Sequence, residues 1–139
     1  MHEHLFSPLK IRELQLPNRI CLLAHRTNFG KNGRISDRQI AYYRRRAQGG
    51  CGLIIVGEMA VHPDDRLWET LTEVHCPEVV ADFKKLTDAV HQFDTRIMAQ
   101  LNHRGFQSSG YVTRKAVLGP SPVSDIVIGE TCKPMEPED

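Results

Sequence analysis

The side chains best equipped for chemistry sit together in Gln100-Leu101-Asn102-His103-Arg104-Gly105. Two carboxamides, an imidazole and a guanidinium follow directly on the apolar run Ile97-Met98-Ala99. Such groups are costly to bury unpaired, so a strand that ends in them presents them where a polar ligand can meet them. The pattern occurs twice more. Ile20-Cys21-Leu22-Leu23-Ala24 runs into His25-Arg26-Thr27-Asn28, and Leu53-Ile54-Ile55-Val56 runs into Gly57-Glu58. Three strands with polar C-terminal mouths predict an α/β enzyme whose site lies on one face of a parallel sheet.

The segments between these strands must then be crossovers. Ser36 with Gln39 three residues on forms a capping box, and 38–48 presents Ile40, Tyr43 and Ala47 at helical spacing before Gly49-Gly50 stops it. Pro77 suits a first helical position, and Val79, Phe83, Leu86, Val90 and Phe93 form the apolar stripe of a second helix. That stripe reads as core packing. Upstream, apolar alternation on either side of Arg12-Glu13 predicts a small β-hairpin leading into the strand at Ile20. Past Gly105 the pattern dissolves into a long loop, with one short strand expected at Ile126-Val127-Ile128. The order hairpin, β, α, β, α, β, loop fits either a small α/β domain or the first part of a larger barrel.

Composition narrows the class. The chain has 139 residues, 40% hydrophobic and 25% charged, with a formal net charge of +1. That size allows one domain with a real core. A charge so near zero gives no general field for nucleic acid or an anionic membrane, and Arg44-Arg45-Arg46 reads as the solvated face of a helix. Neither a membrane span nor a signal-peptide pattern is visible, so a cytoplasmic protein is expected. Cys21, Cys51, Cys76 and Cys132 are widely spaced, with no Cys-x-x-Cys and no zinc-like Cys/His spacing. All four are expected to be reduced thiols, with no metal ligands among them.

Several of these segments together resemble one family. Leu5-Phe6-Ser7-Pro8-Leu9-Lys10-Ile11 with Leu16-Pro17-Asn18-Arg19-Ile20 is similar to the opening of old yellow enzyme-type NADH:flavin oxidoreductases. Ser36-Asp37-Arg38-Gln39-Ile40-Ala41-Tyr42-Tyr43 resembles the family's Thr-Asp-x-x-Ile-x-Tyr-Tyr helix start. Gly49-Gly50-Cys51-Gly52-Leu53-Ile54-Ile55 resembles its second strand, and Gln100-Leu101-Asn102-His103-Arg104-Gly105 its Gln-Leu-x-His-x-Gly signature. Pro120-Ser121-Pro122 and 134–139 fall where the family has similar segments. The resemblance implies the N-terminal part of a (β/α)8 TIM barrel, a hairpin plus about three βα units, with 1–139 forming one FMN-binding portion and no second domain. It also implies FMN at the strand mouths, NADH or NADPH as electron donor, and an activated alkene or similar small molecule as acceptor. Members resembling 2,4-dienoyl-CoA reductase add an iron–sulfur cluster and a nucleotide domain.

Carried onto this chain, the resemblance makes Ala24, His25, Arg26, Thr27, Gly57, Glu58 and Gln100 the cofactor-binding residues. Thr27 matches a position tuning the flavin near its C4 carbonyl, and the Gln100 amide suits the pyrimidine edge. Glu58 is carried over for its backbone alone. His25-Arg26 depart from the usual Pro-Met pair, and Arg26 is open to three roles: stabilising reduced flavin, meeting an anionic substrate, or pairing with Glu58. His103 and Arg104 are candidate substrate contacts, against an alternative structural role. No catalytic residue is assigned, because the substrate-carbonyl pair, the tyrosine proton donor and the phosphate loops have no counterpart here. Rival readings are an inactive fragment or interaction module pairing through an open sheet edge, and a flavin-free barrel enzyme such as an aldolase. The latter wants a lysine or metal ligands at the strand ends, and these three strands offer neither.

Overall fold

The computed structural model describes residues 2–139. A single helical turn, α1 (Glu3–Phe6), precedes the hairpin of β1 (Leu9–Ile11) and β2 (Leu14–Leu16). The hairpin pairs antiparallel, Leu9 with Leu16 and Ile11 with Leu14, about the Arg12-Glu13 turn as expected. The parallel sheet then builds on β4 (Leu53–Ala60), its central strand. On one side β4 takes β3 (Cys21–Leu22), and on the other β6 (Arg96–Asn102). A two-residue strand, β5 (Thr72–Glu73), pairs with Met59 and Ala60. Since β6 already occupies one flank at Met59 and Ala60, β5 takes over the flank that β3 has left.

Two 12-residue helices, α2 (Asp37–Gln48) and α3 (Val79–Val90), complete the crossovers. At the start of α2 the Ser36 hydroxyl oxygen accepts the Gln39 amide at 3.2 Å, satisfying one orphan donor of the first turn. The reciprocal half of the capping box does not form, because Gln39 is buried and turns its side chain inward. Tyr43 and Ala47 of α2 join Leu86 and Val90 of α3 against Ile54 and Val56 of β4 in one core. The α3 stripe also hides Asp82, whose carboxylate receives Arg34 Nε at 2.6 Å and Nη2 at 3.1 Å. This two-pronged pair ties the loop before α2 to α3, and its hydrogen bond raises the Arg34 pKa.

The strand starts are locked by Asn18. Its side-chain amide donates to the Gly50 carbonyl at 2.8 Å, while its Oδ1 accepts the Ile20 amide at 3.0 Å. Gly52 is needed at that junction, since a Cβ there would stand 2.6 Å from Asn18 Oδ1. β3 and β4 are therefore aligned from their first residues.

Three expectations are corrected. β6 is apolar in sequence but not buried: Met98 is 45% and Leu101 66% exposed, because among the described residues β6 has β4 as its only strand neighbour and little covers its faces. The region after Gly105 is not featureless. It holds a 3-10 turn (Gly105–Gln107), α4 (Gly110–Thr113) and the parallel pair β7 (Leu118–Gly119) and β8 (Lys133–Pro134). Ile126-Val127-Ile128 is a turn rather than a strand, and Ile126 is 97% exposed. Asp125 Oδ1 accepts the amides of Val127 and Ile128 at 2.7 Å each, a local closure that competes with strand extension.

Candidate functional site

The site forms where the sheet opens on the face away from α2 and α3. Ile54 and Val56 of β4 pack under the helices and stand in register with Ile97 and Ala99 of β6. Strand alternation therefore sends Met98 and Gln100 to the opposite, helix-free face. β4 does not end at Val56, as the sequence suggested, but continues to Ala60 with a register shift between Val56 and Met59. Gly57-Glu58 lie within that irregularity, their peptide cis, rather than at a free strand mouth. A bulge of this kind re-aims side chains and backbone beside a site.

At this point three strands converge. A Cβ on Gly57 would stand 2.7 Å from Ala24 Cβ and 3.0 Å from Gln100 Oε1. Ala24 follows β3, Gly57 belongs to β4 and Gln100 to β6, so the small residues on two strands let them close up beside the Gln100 amide into a low shelf. Arg26 also pairs with Gly57 in a parallel bridge. Beneath the shelf the Tyr43 hydroxyl is buried near the Gly57 backbone and Gln39, without a well-formed partner among the described residues. Burial pushes its pKa up.

The residues around the shelf are held firmly. His25 Nδ1 lies 3.2 Å from the Leu23 carbonyl and Nε2 2.8 Å from the Tyr42 hydroxyl. A carbonyl only accepts, so Nδ1 carries the proton in the neutral ring and Nε2 accepts from Tyr42. Thr27 Oγ1 accepts the Phe29 amide at 3.3 Å, which leaves its own proton free to donate. Of the roles open to Arg26, the structure displays one: its guanidinium lies 3.7 Å from Glu58 Oε1 and stacks over Trp68 at 4.5 Å.

Arg104 is likewise committed. Its guanidinium contacts Glu58, and its backbone amide donates to Asp65 Oδ1 at 2.8 Å. Asp65 is fully buried and also accepts the Ser108 hydroxyl at 2.9 Å. This carboxylate fastens the loop after β4 to the segment after β6. Sequence reading missed it, although a fixed acid among His62-Pro63-Asp64-Asp65-Arg66 was a visible signal. His103, by contrast, faces a cleft of about 480 Å³ beyond the strand ends, bordered by Val61, His62, Leu118, Pro120 and Met135. Its Nδ1 accepts the Gly105 amide at 3.1 Å, and its ring lies 6.2 Å from that of His62.

The far wall of this region hangs on Glu130. Its carboxylate accepts the Ser109 hydroxyl at 2.8 Å and the Gly110 amide at 2.7 Å, with the Tyr111 amide at 3.4 Å. Burial alone would raise its pKa, but these donors outweigh it and hold the carboxyl below its ordinary value.

Known proteins are similar to this chain in sequence and in fold. Residues 4–137 match the NADH:flavin oxidoreductase / NADH oxidase family. A metal reductase of Desulforamulus reducens is 35% identical over 129 residues, covering 91% of this chain and 19% of that protein. The N,N-dimethylglycine/sarcosine dehydrogenase of Chromohalobacter salexigens is 32% identical over 140 residues, covering 97% and 20%. Among solved structures, 2-naphthoyl-CoA reductase in complex with 2-naphthoyl-CoA superposes with a TM-score of 0.91 at 26% identity, covering 99% of this chain and 23% of that one. Morphinone reductase with tetrahydroNAD gives 0.88 at 24%, covering 96% and 41%. The chain thus follows the fold of these TIM-barrel enzymes throughout, while spanning about a fifth of the length of the two curated relatives.

Proposed function

The chain belongs to the NADH:flavin oxidoreductase / NADH oxidase family, and from that membership we propose that it forms the N-terminal, FMN-facing portion of a (β/α)8 barrel in an NAD(P)H-dependent oxidoreductase. One observation carries the reading: Ala24, Gly57 and Gln100 meet on the helix-free face of three parallel strands, with no room for a side chain at Gly57. A flat heteroaromatic ring needs a shelf of that kind, low over the backbone with an amide at its edge. FMN fits the donor set. The Gln100 carboxamide offers both hydrogen-bond senses to a pyrimidine edge, and the Thr27 hydroxyl retains a proton to donate.

FMN, when bound, supplies hydride transfer from NADH or NADPH to a small-molecule acceptor such as an activated alkene. The residues of this chain bind and orient. Ala24, His25 and Gly57 provide the floor, with His25 fixed by Tyr42. Arg26 borders the shelf, stacked on Trp68 and sharing the Glu58 carboxylate with Arg104. His103 is the substrate contact in this reading, because it lines the cleft, whereas Arg104 positions Glu58 and the Asp65 loop. The exposed β6 edge fits the same reading, since the fourth strand of a barrel would cover it.

Spectral titration with FMN tests this in two steps. The chain alone is expected to bind weakly, and the protein extended to a full barrel tightly. In that barrel Gln100→Ala should weaken FMN about tenfold, the equivalent of about 1.4 kcal/mol for one lost hydrogen bond. Gly57→Val should abolish binding by forcing Ala24 and Gln100 apart. Unchanged affinity in both variants would remove the shelf from the cofactor site.

A further inference from the structure

A second group of donors lies outside the flavin face, on the turn that follows β5. The Cys76 amide donates to the Glu73 carbonyl at 3.2 Å, and this turn folds His75 and Cys76 back over the Glu73 side chain. Cys76 Sγ then lies 3.4 Å from His75 Nδ1 and 3.9 Å from Glu73 Oε2, and His75 Nε2 lies 3.6 Å from the same carboxylate oxygen. One donor atom from each of the three residues falls within 4.8 Å of the others. A tetrahedral zinc ion, with Zn–S about 2.3 Å and Zn–N about 2.0 Å, separates its donors by roughly 3.3–3.6 Å. The two short imidazole contacts use different ring nitrogens, so with one nitrogen as ligand the three donors lie within 4.8 Å of one another and would draw together slightly around an ion.

Two further features favour a cation over a plain hydrogen-bond cluster. His75 Nε2 is shielded from solvent and has no hydrogen-bond partner among the described residues. Glu73 is oriented through its other oxygen, which lies 3.1 Å from Arg66 Nε, leaving Oε2 turned toward His75 and Cys76. An ion-pair partner on the outer oxygen of a ligating carboxylate is a usual second-layer support for a metal. Sequence reading took none of the four cysteines as a metal ligand, because the Glu-x-His-Cys spacing at Cys76 is not a standard zinc pattern.

We propose that Glu73, His75 and Cys76 form a binding site for a divalent cation of the zinc class. On binding, the Cys76 thiol gives its proton to solvent and a sulfur–metal bond forms, while neutral His75 and the Glu73 carboxylate each donate an electron pair. Thiolate and carboxylate together balance the 2+ charge, and three protein donors leave a fourth position for water. The site would brace the turn that leads from β5 to α3.

Cobalt titration of the purified chain, stripped of metal with a chelator, tests this without reference to flavin. One equivalent of Co2+ should produce sulfur-to-metal charge-transfer absorption that Zn2+ displaces. Cys76→Ser should lose the band, and His75→Ala and Glu73→Gln should each weaken Co2+ binding, with far-UV circular dichroism confirming that the variants fold. Zn2+ should also raise the wild-type Tm and leave that of Cys76→Ser unchanged. The site is overturned if no band forms, if Cys76→Ser keeps it, or if His75→Ala and Glu73→Gln bind as wild type.

Discussion

β4 and β6 are written in nearly the same alphabet yet live in different surroundings. Leu53, Ile54 and Val56 of β4 are buried, whereas Met98 and Leu101 of β6 are exposed. The difference is one of neighbours: β4 has partners on both flanks, and β6 has β4 alone. An apolar strand contributes to stability only as far as something covers it. Burial belongs to the assembly and not to the strand. The polar residues of this region show the converse, because Glu58 within the β4 bulge and Arg104 after β6 bind each other where apolar cover is thin.

That contrast can be broken at four places. The largest effect is expected at Asp65, the buried carboxylate joining the loop after β4 to the segment after β6. Asp65→Ala leaves the Arg104 amide and the Ser108 hydroxyl without their acceptor, and at about 1–3 kcal/mol for each buried group left unsatisfied should strongly destabilise the chain in urea titration. Next comes Ile54→Ala on β4, a fully buried core position, with an expected loss of about 2–5 kcal/mol by the same measurement. A cost as small as that of an edge residue would mean that β4 is not the centre of the core.

Acidification sharpens the comparison for the region beyond β6. The folded pKa of Glu130 is lowered by its hydrogen bonds, so its stabilisation is present above the ordinary carboxylate pKa and is lost as pH falls through the lowered folded value. Wild type should lose stability across that acid window, measured by thermal unfolding against pH. Glu130→Gln should be less stable near neutrality and flatter across the window. The smallest effect is expected for Met98→Ala on the open edge, within about 0.5 kcal/mol in the isolated chain. Its cost should grow once a further strand covers β6.

The expectations held where local chemistry is strong. The Arg12-Glu13 hairpin, the Ser36 cap, the α3 stripe and the three parallel strands all rest on spacing and propensity within a few residues. Elements held only by distant pairing were not legible. β5, β7 and β8 have two residues each and exist because a remote strand supplies their hydrogen bonds. The error at Ile126-Val127-Ile128 is instructive: β-branched residues favour a strand, but Asp125 one position earlier closes the amides first. Gln39 misled in another way, since its type fits a capping box while its position on the helix faces the core.

For the site, the sequence alone determined which residue types follow the apolar runs of three strands and, through their order, the family. Spacing along one strand is enough for that, because alternation and turn chemistry act over a few residues. Only the tertiary structure decided which of those groups face one another. It set Ala24, Gly57 and Gln100 side by side and gave Arg26 and Arg104 to Glu58. Contacts between side chains far apart in the chain depend on register, bulges and burial, and these are fixed by the packed sheet as a whole.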